Sequence, residues 1–198
     1  MTICIGREFG SGGHEIAEKL AKRMGMGFYD QELVESAMER SMLSMEKLQK
    51  ADERRTNPFL HDVHYNMEDR ELRGLSTNDI LFKVQSKIVL ELAQEESVFV
   101  GRCADYILKQ NNIPCISLFI AAPFEERVQR KMKLLGLDEK SASALVRKTD
   151  KERKNYYNYY TGGGWGRPHN YNICVNSSVM GIEKTVDMLA KVLTCFRS

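Results

Sequence analysis

Short runs of apolar and β-branched residues alternate along the chain with segments in which apolar residues recur at helical spacing. The runs predict five strands: Thr2 to Ile5, Gly27 to Tyr29, Ser97 to Val100, Cys115 to Ala121 and Tyr171 to Val175. Most are continuously apolar, which is typical of parallel strands covered on both faces. The alternation therefore predicts an α/β fold in which about five parallel strands lie between two layers of helices.

Two polar segments interrupt this alternation. Residues 31–78 are mostly helical in pattern and predict an insertion after the second strand. Residues 141–170 contain six Lys or Arg against two Asp or Glu, followed by a cluster of tyrosines and glycines, and predict a mobile basic lid. We expect a single domain with a core made of residues 1–30, 79–140 and 171–198.

Composition narrows the function classes. A chain of 198 residues with 42% hydrophobic residues can bury a core, and its net charge of +2 argues against disorder and against nucleic-acid binding. No apolar run approaches the roughly 18 residues of a membrane span and the first residues are not a basic leader, so we expect a cytoplasmic protein without a membrane partner. The five scattered cysteines form no CxxC pair, which excludes a disulfide scaffold or zinc site.

The glycine-rich segment after the first strand is the strongest candidate for chemistry. Gly10, Ser11, Gly12, Gly13 and His14 lie where a strand ends and a helix begins. Glycines let successive backbone amides converge, and a helix N-terminus adds partial positive charge, so this loop favours a phosphate. The alternative is a tight strand-to-helix turn without a ligand.

This loop departs from the standard nucleotide-binding patterns. Gly13 occupies the place of the P-loop lysine, and His14 stands where a Mg²⁺-binding Ser or Thr would follow. A dinucleotide-binding pattern is excluded because Glu15 replaces its third glycine. The missing positive charge must come from Arg7, from a protonated His14 or from a residue of the lid. Arg7 is the first candidate because a guanidinium presents a planar fork to phosphate oxygens.

Other candidates follow the second and third strands and lie near the lid. Arg102 and Asp105 come directly after the third strand, at the sheet edge where α/β proteins bind ligands, although Asp105 could also simply stabilise a helix start. Asp30 follows the second strand and is, with Asp105, a candidate for acceptor or metal contacts. Arg153 comes one helical turn after Asp150 and is favoured over an ordinary solvated charge.

Three stretches together resemble the cytidylate kinase-like family. They are Ile3 to Ile16, Val98 to Asp105 with its Gly-Arg pair, and Pro123 to Arg127 leading into the basic lid. The resemblance implies a P-loop fold of the nucleoside monophosphate kinase type and transfer of the ATP γ-phosphoryl group, with Mg²⁺, to a nucleotide or another small phosphorylated acceptor. It also implies that residues 10–14 bind the donor phosphates, that Arg102 binds the acceptor phosphate, and that Arg127, Arg130 and Arg153 are lid arginines.

Two alternatives stay open at this point. The absent loop lysine is compatible with a nucleotide-binding sensor that does not turn over, and the acceptor could be a metabolite other than a nucleotide. The sequence assigns no metal ligand, and it is compatible with a monomer or a homodimer.

Overall fold

The computed structural model of the chain describes residues 1–30 and 76–196. The chain divides into two compact units, one formed by Met1–Asp30 with Leu92–Ser198 and the other by Gln31–Glu91. The helical insertion expected over residues 31–78 lies outside the described residues, apart from its last three positions. All site residues discussed below belong to the first unit.

Strands and helices alternate in the described residues as the hydrophobic pattern predicts. In chain order the elements are β1 (Thr2–Arg7), α1 (Gly13–Met24), β2 (Gly27–Tyr29), α2 (Thr77–Leu92), β3 (Ser97–Val100), α3 (Ala104–Gln110), β4 (Ile116–Ala121), α4 (Phe124–Leu135), α5 (Glu139–Thr161), a 3₁₀ helix (Pro168–Asn170), β5 (Ile173–Asn176) and α6 (Gly181–Thr194). Helix α2 begins after Ser76, whose hydroxyl oxygen accepts a hydrogen bond from the Asp79 amide and so caps the first turn.

The five described strands form one parallel sheet in the order β2-β3-β1-β4-β5. Central strand β1 pairs with β3 through Ile5 and Val100, and with β4 through Ile5 and Leu118. The chain fills one side of β1 with β2 and β3 before it crosses to β4 and β5, so the strand order reverses at β1. Ligands of open parallel sheets bind beyond the carboxyl ends of strands at such a reversal.

Side chains alternate between the two faces of the sheet and build three layers. Ile3, Ile5 and Leu118 point to the face covered by α1 and α6, where they pack in one buried cluster with Leu20 and Leu189. The opposite face carries Phe99 and Phe119; α3 packs there against β1, and the Phe119 ring contacts Trp165 and Tyr171. The predicted three-layer α/β sheet of five parallel strands is confirmed.

The strand predictions differ from the structure only at strand ends. Strand β1 continues to Arg7 because that residue still pairs with Ile120 of β4. Strand β5 begins at Ile173 rather than Tyr171, because the Tyr171 amide donates to the Pro168 carbonyl and closes the 3₁₀ turn. All five cysteines are free thiols, as expected.

The segment predicted as a mobile lid is largely one long helix. Helix α5 has 23 residues, begins after an Asp138 cap and ends at Gly162 in a left-handed conformation. It packs on α4 through Val128, Ala142 and Val146. None of the helices within 76–196 or 1–30 has the length and apolarity that a membrane crossing requires.

Candidate active site

The glycine loop, residues 8–12, connects the carboxyl end of central strand β1 to helix α1. Gly10 and Gly12 have φ angles of 89° and 78°, which glycine adopts without strain. The Ser11 hydroxyl donates to the Glu8 carbonyl at 2.9 Å and accepts from the Gly13 amide at 3.3 Å, so it holds the loop from within. The Ile16 amide donates to the Gly12 carbonyl at 2.9 Å, whereas the amides of His14 and Glu15 come too early in α1 to have an acceptor inside the helix.

Packing around the loop accounts for each of its glycines. A Cβ at Gly10 would lie 2.8 Å from the Arg127 carbonyl oxygen, and one at Gly12 would lie 2.9 Å from the Ile182 Cδ1. A Cβ at Gly13 would lie 2.6 Å from the Arg7 Cβ. The volume in which a P-loop lysine would begin is therefore filled by the Arg7 side chain.

Phe9 fixes the loop to helices α4 and α5. Its amide donates to Asp150 Oδ1 at 2.7 Å, and its carbonyl oxygen accepts from Arg127 Nη1 at 3.1 Å. Its ring packs with the buried cluster that includes Val128 and Val146. The backbone and the side chain of this one residue thus tie the loop to the helix that was expected to form the lid.

Arg127 is a buried brace of this anchor. Its guanidinium donates to the Ala122 carbonyl at 2.9 Å and forms ion pairs with Asp150 at 2.5 Å and Glu8 at 3.4 Å. The residue is 6% exposed and lies on α4, outside residues 141–170. The resemblance implied a lid arginine here; the structure instead directs its donors to carbonyls and carboxylates that satisfy a buried cation.

Arg7 extends from β1 across the end of β3 towards β2. Its Nη1 lies 2.1 Å from the place where a Gly101 side chain would begin, so only glycine at 101 admits the guanidinium. Nη2 pairs with Asp30 Oδ1 at 3.3 Å, while the buried Nε has no partner among the described residues. Burial, together with repulsion from Arg153 and Arg102, lowers the pKa of Arg7 to about 10, so it is still cationic at neutral pH.

Several residues singled out from the sequence converge on Arg7. His14 Nε2 lies 2.8 Å from Asp30 Oδ2, so Asp30 bridges His14 and Arg7. Arg153 Nη1 donates to the Arg7 carbonyl oxygen at 3.2 Å. Burial lowers the pKa of Arg153, whereas the carboxylates of Asp150 and Asp30 raise it. The expected site residues from β1, β2 and the lid thus meet at one end of the sheet.

Arg102 belongs to a strained turn at the carboxyl end of β3. Gly101, Arg102 and Cys103 have consecutive φ angles of 75°, 58° and 55°. Residues other than glycine pay about 1–3 kcal/mol each for a sparsely populated conformation, and such residues cluster at ligand sites. The Gly101 amide donates to the Ile5 carbonyl at 3.0 Å, which fixes the start of the turn to the central strand.

Asp105 does not join the group around Arg7. Its Oδ2 accepts a hydrogen bond of 2.7 Å from the Tyr157 hydroxyl of α5. Burial raises the pKa of Asp105, although the Tyr157 hydrogen bond opposes the rise. This carboxylate, expected to contact an acceptor or a metal, instead connects α3 to α5.

Two further cations, Arg130 and Lys131 of α4, lie beside the glycine loop, on the side away from β2 that is here called its outer side. Arg130 pairs with Glu15 Oε2 at 2.6 Å, and its Cζ lies 3.7 Å from the place of a Gly12 side chain. Lys131 Nζ lies 4.2 Å from the centre of the Phe9 ring, and Arg153 Cζ lies 5.4 Å from the same centre. Phe9 is therefore contacted by two cations in addition to its backbone anchors.

Sequence reasoning missed four residues that position the loop: Glu8, Lys131, Asp150 and Ser177. Ser177 follows β5, and its hydroxyl donates to the Ser11 carbonyl at 2.6 Å. Glu8 accepts from the Ala122 amide at 3.0 Å. Only Asp150 carried a signal, its spacing of one helical turn before Arg153. The others depend on contacts between distant elements.

The described residues contain no cluster of side chains that would hold a metal ion by themselves. Protein-bound Mg²⁺ in phosphoryl transfer takes oxygen ligands from one or two side chains and from the phosphates. Within residues 1–30 and 76–196, no three His, Cys, Asp or Glu side chains are grouped as metal ligands. His14 occupies the place of the usual hydroxyl ligand, and Asp30 is engaged by His14 and Arg7.

Comparisons with other proteins agree with this fold. The sequence profile of the cytidylate kinase-like family matches residues 2–179. An uncharacterized protein from Eubacterium ventriosum ATCC 27560 is 29% identical in its crystal structure, with a TM-score of 0.72 and 98% of both chains covered. A shikimate kinase from Bacteroides thetaiotaomicron is 14% identical, with a TM-score of 0.56 and 98% of both chains covered, and shares the fold. A uronate isomerase from Corynebacterium glutamicum is 24% identical over 118 residues, which are 60% of this chain but only 23% of the isomerase.

Replacement of Asp150 tests the anchor of the loop. We expect Asp150→Asn to lower the free energy of unfolding by about 3 kcal/mol, because it leaves the buried Arg127 cation without its closest carboxylate. Urea unfolding measures the change. Glu152→Gln is the control. Glu152 is exposed and forms a long ion pair of 3.9 Å with the exposed Lys148, so its replacement should change the free energy of unfolding by less than about 0.5 kcal/mol. Equal stability of the two variants would contradict the brace.

A double-mutant cycle tests whether Arg7 fills the lysine position. Gly13→Ala should destabilise the protein by about 1–3 kcal/mol, since its Cβ overlaps the Arg7 side chain. In an Arg7→Gly background the same change should cost little, and the coupling between the two sites should exceed about 1 kcal/mol. Additive effects in urea unfolding would show that the two side chains do not compete for this volume.

Proposed function

This chain belongs to the cytidylate kinase-like family, and we propose that it transfers the γ-phosphoryl group of ATP to a nucleoside monophosphate or a similar small phosphorylated acceptor. One observation carries the proposal. The glycine loop at the end of β1 shares its end of the sheet with Arg7 and with two further arginines that repel it, Arg102 and Arg153. A cluster of like charges beside free helix amides suits a ligand with several negative charges.

The glycine loop forms the donor end of the proposed site. Gly10, Ser11, Gly12, Gly13 and His14 surround the donor phosphates with backbone amides and the N-terminus of α1. Anchoring through Phe9 keeps these amides in place before the nucleotide binds. Preorganised donors stabilise developing charge without the cost of reorientation during the reaction.

Arg7 takes the central position between the two phosphates. Its stem fills the place of the missing lysine, and its guanidinium lies towards the ends of β2 and β3. We infer that it contacts the phosphoryl group in transfer, with Asp30 holding its orientation. Arg130 binds the donor phosphates from the outer side of the loop. Arg127 is a positioning residue that holds the loop in place.

The acceptor end is assigned to Arg102 and Arg153. The strained turn after β3 holds Arg102 near Arg7, and α5 brings Arg153 over the Arg7 carbonyl. Three arginines favour an acceptor that itself carries a phosphate over an uncharged hydroxyl compound. In the reaction the bond from the γ-phosphorus to the bridging oxygen of ATP breaks, and a bond to an acceptor phosphate oxygen forms.

Mg²⁺ is expected to enter with the nucleotide. When bound, the ion would neutralise charge on the donor phosphates. No three His, Cys, Asp or Glu side chains of the described residues are grouped as metal ligands, and on this proposal the protein holds the phosphates with amides and arginines. The chemistry that this chain supplies is alignment, charge stabilisation and exclusion of water beneath α5.

A nucleotide sensor is the second candidate function. The observation that favours it is the overlap at Gly13, which leaves no volume for the lysine found in the standard loop. A sensor would bind ATP in the same loop and would release it unchanged.

A transfer assay separates these functions. Labelled ATP with Mg²⁺ is incubated with the protein and a panel of nucleoside monophosphates, sugar phosphates and unphosphorylated hydroxy acids. We expect label to appear on a phosphorylated acceptor, because Arg102 and Arg153 are assigned to the acceptor end and Arg7 lies beside them. Saturable ATP binding without transfer would favour the sensor, and transfer only to an unphosphorylated compound would contradict the acceptor class.

Arg153 provides the residue-level test. We expect Arg153→Ala to lower kcat by at least about 100-fold. The loss of one preorganised hydrogen-bond donor that stabilises negative charge in the transition state has an effect of that size. Lys151→Ala is the control, because it removes the same charge from an exposed position of the same helix. Thermal unfolding of both variants reports whether the fold is kept. An unchanged kcat in a folded Arg153→Ala protein would exclude Arg153 from the reaction.

A further inference from the structure

Lys131 of α4 is a cation for which the described structure provides no carboxylate. Its ammonium lies against the ring of Phe9, the residue that directly precedes Gly10 of the glycine loop. No Asp or Glu in the described part of the chain forms an ion pair with it. Its neighbours on the same helix differ, because Arg127 pairs with Asp150 and Arg130 pairs with Glu15.

We propose that Lys131 supplies the ammonium that the loop lacks at position 13 and binds the terminal phosphates of the donor triphosphate. This inference rests on the proposed function, and it assigns a donor contact that comes from α4 instead of from the loop. Arg7 cannot fill this role at the outer side of the loop, because its guanidinium is directed inward to Gly101 and Asp30.

The Phe9 ring acts as the platform for this ammonium. A cation over an aromatic face is attracted by the ring, and the long lysine stem reaches the ring from α4. Because Phe9 is held at its amide, carbonyl and ring, the platform is fixed relative to the loop amides. The ring therefore sets where the charge lies relative to Gly10 and Gly12.

The charges around Lys131 are those expected of an anion-binding site. Burial lowers the pKa of Lys131, and repulsion from Arg130 and Arg153 lowers it further. Three cations close to one another are destabilising for the protein alone, and a bound polyphosphate would relieve that repulsion. A salt-bridge lysine with a purely structural task would face a carboxylate instead.

Calorimetric titration with ATP, ADP and AMP tests the proposal. Lys131→Met should weaken ATP binding at least tenfold and AMP binding less than threefold, because only the terminal phosphates reach the ammonium. Lys131→Arg should recover most of the ATP affinity. Lys133→Met is the matched control, since it removes the same charge from an exposed position of the same helix and should leave ATP affinity unchanged.

A second measurement does not depend on the variant folding. The Lys131 amine of the wild-type protein is followed by NMR after isotopic methylation of lysines, and its pKa should rise when ATP is added but not when AMP is added. The assignment of Lys131 would be overturned if Lys131→Met bound ATP within twofold of wild type, or if it lost affinity for ATP and AMP equally. The proposed function would survive either result as long as the wild-type protein binds ATP and transfers its phosphoryl group. Failure of the wild-type protein to bind ATP would remove both.

Discussion

The buried pairing of Arg127 with Asp150 is the interaction on which the geometry of the site depends. Both partners also hold Phe9, one through its carbonyl oxygen and the other through its amide. Loss of one member of a buried pair leaves an uncompensated charge, so these contacts persist or fail together. The loop between β1 and α1 is thereby fixed by helices that come more than 100 residues later in the chain.

This constraint changes how the glycines of the loop are interpreted. Gly10 and Gly12 have positive φ angles, and the three positions 10, 12 and 13 each face an atom that a Cβ would overlap. Packing alone therefore requires the glycines, so their presence is weaker evidence for a phosphate than the sequence suggested. The stronger evidence is that two arginines, Arg102 and Arg153, lie close enough to Arg7 to repel it.

The sequence predicted the sheet because strand formation depends on local patterns. All five strands were located within two residues at each end, since continuous apolar runs and the helices between them have periodicities readable from the chain. The site was predicted less well, because it depends on where long side chains end. Arg153 contacts the Arg7 backbone, whereas Asp105 bonds to Tyr157 and Arg127 is buried, and none of these contacts could be derived from the sequence pattern. Spacing along a helix gives a direction for a side chain but does not identify its distant partner.

The choice of arginine at position 7 follows from the environment that the fold creates there. Burial and the neighbouring arginines lower the pKa of Arg7 from 12.5 to about 10. The same environment would also lower the pKa of a lysine, whose ordinary value of about 10.4 already lies closer to neutral pH, so a guanidinium keeps the larger margin of charge. Burial lowers the pKa of Lys131 as well. On the proposed assignment, the guanidinium of Arg7 on the inner side and the ammonium of Lys131 beside Phe9 together take the place of the single loop lysine.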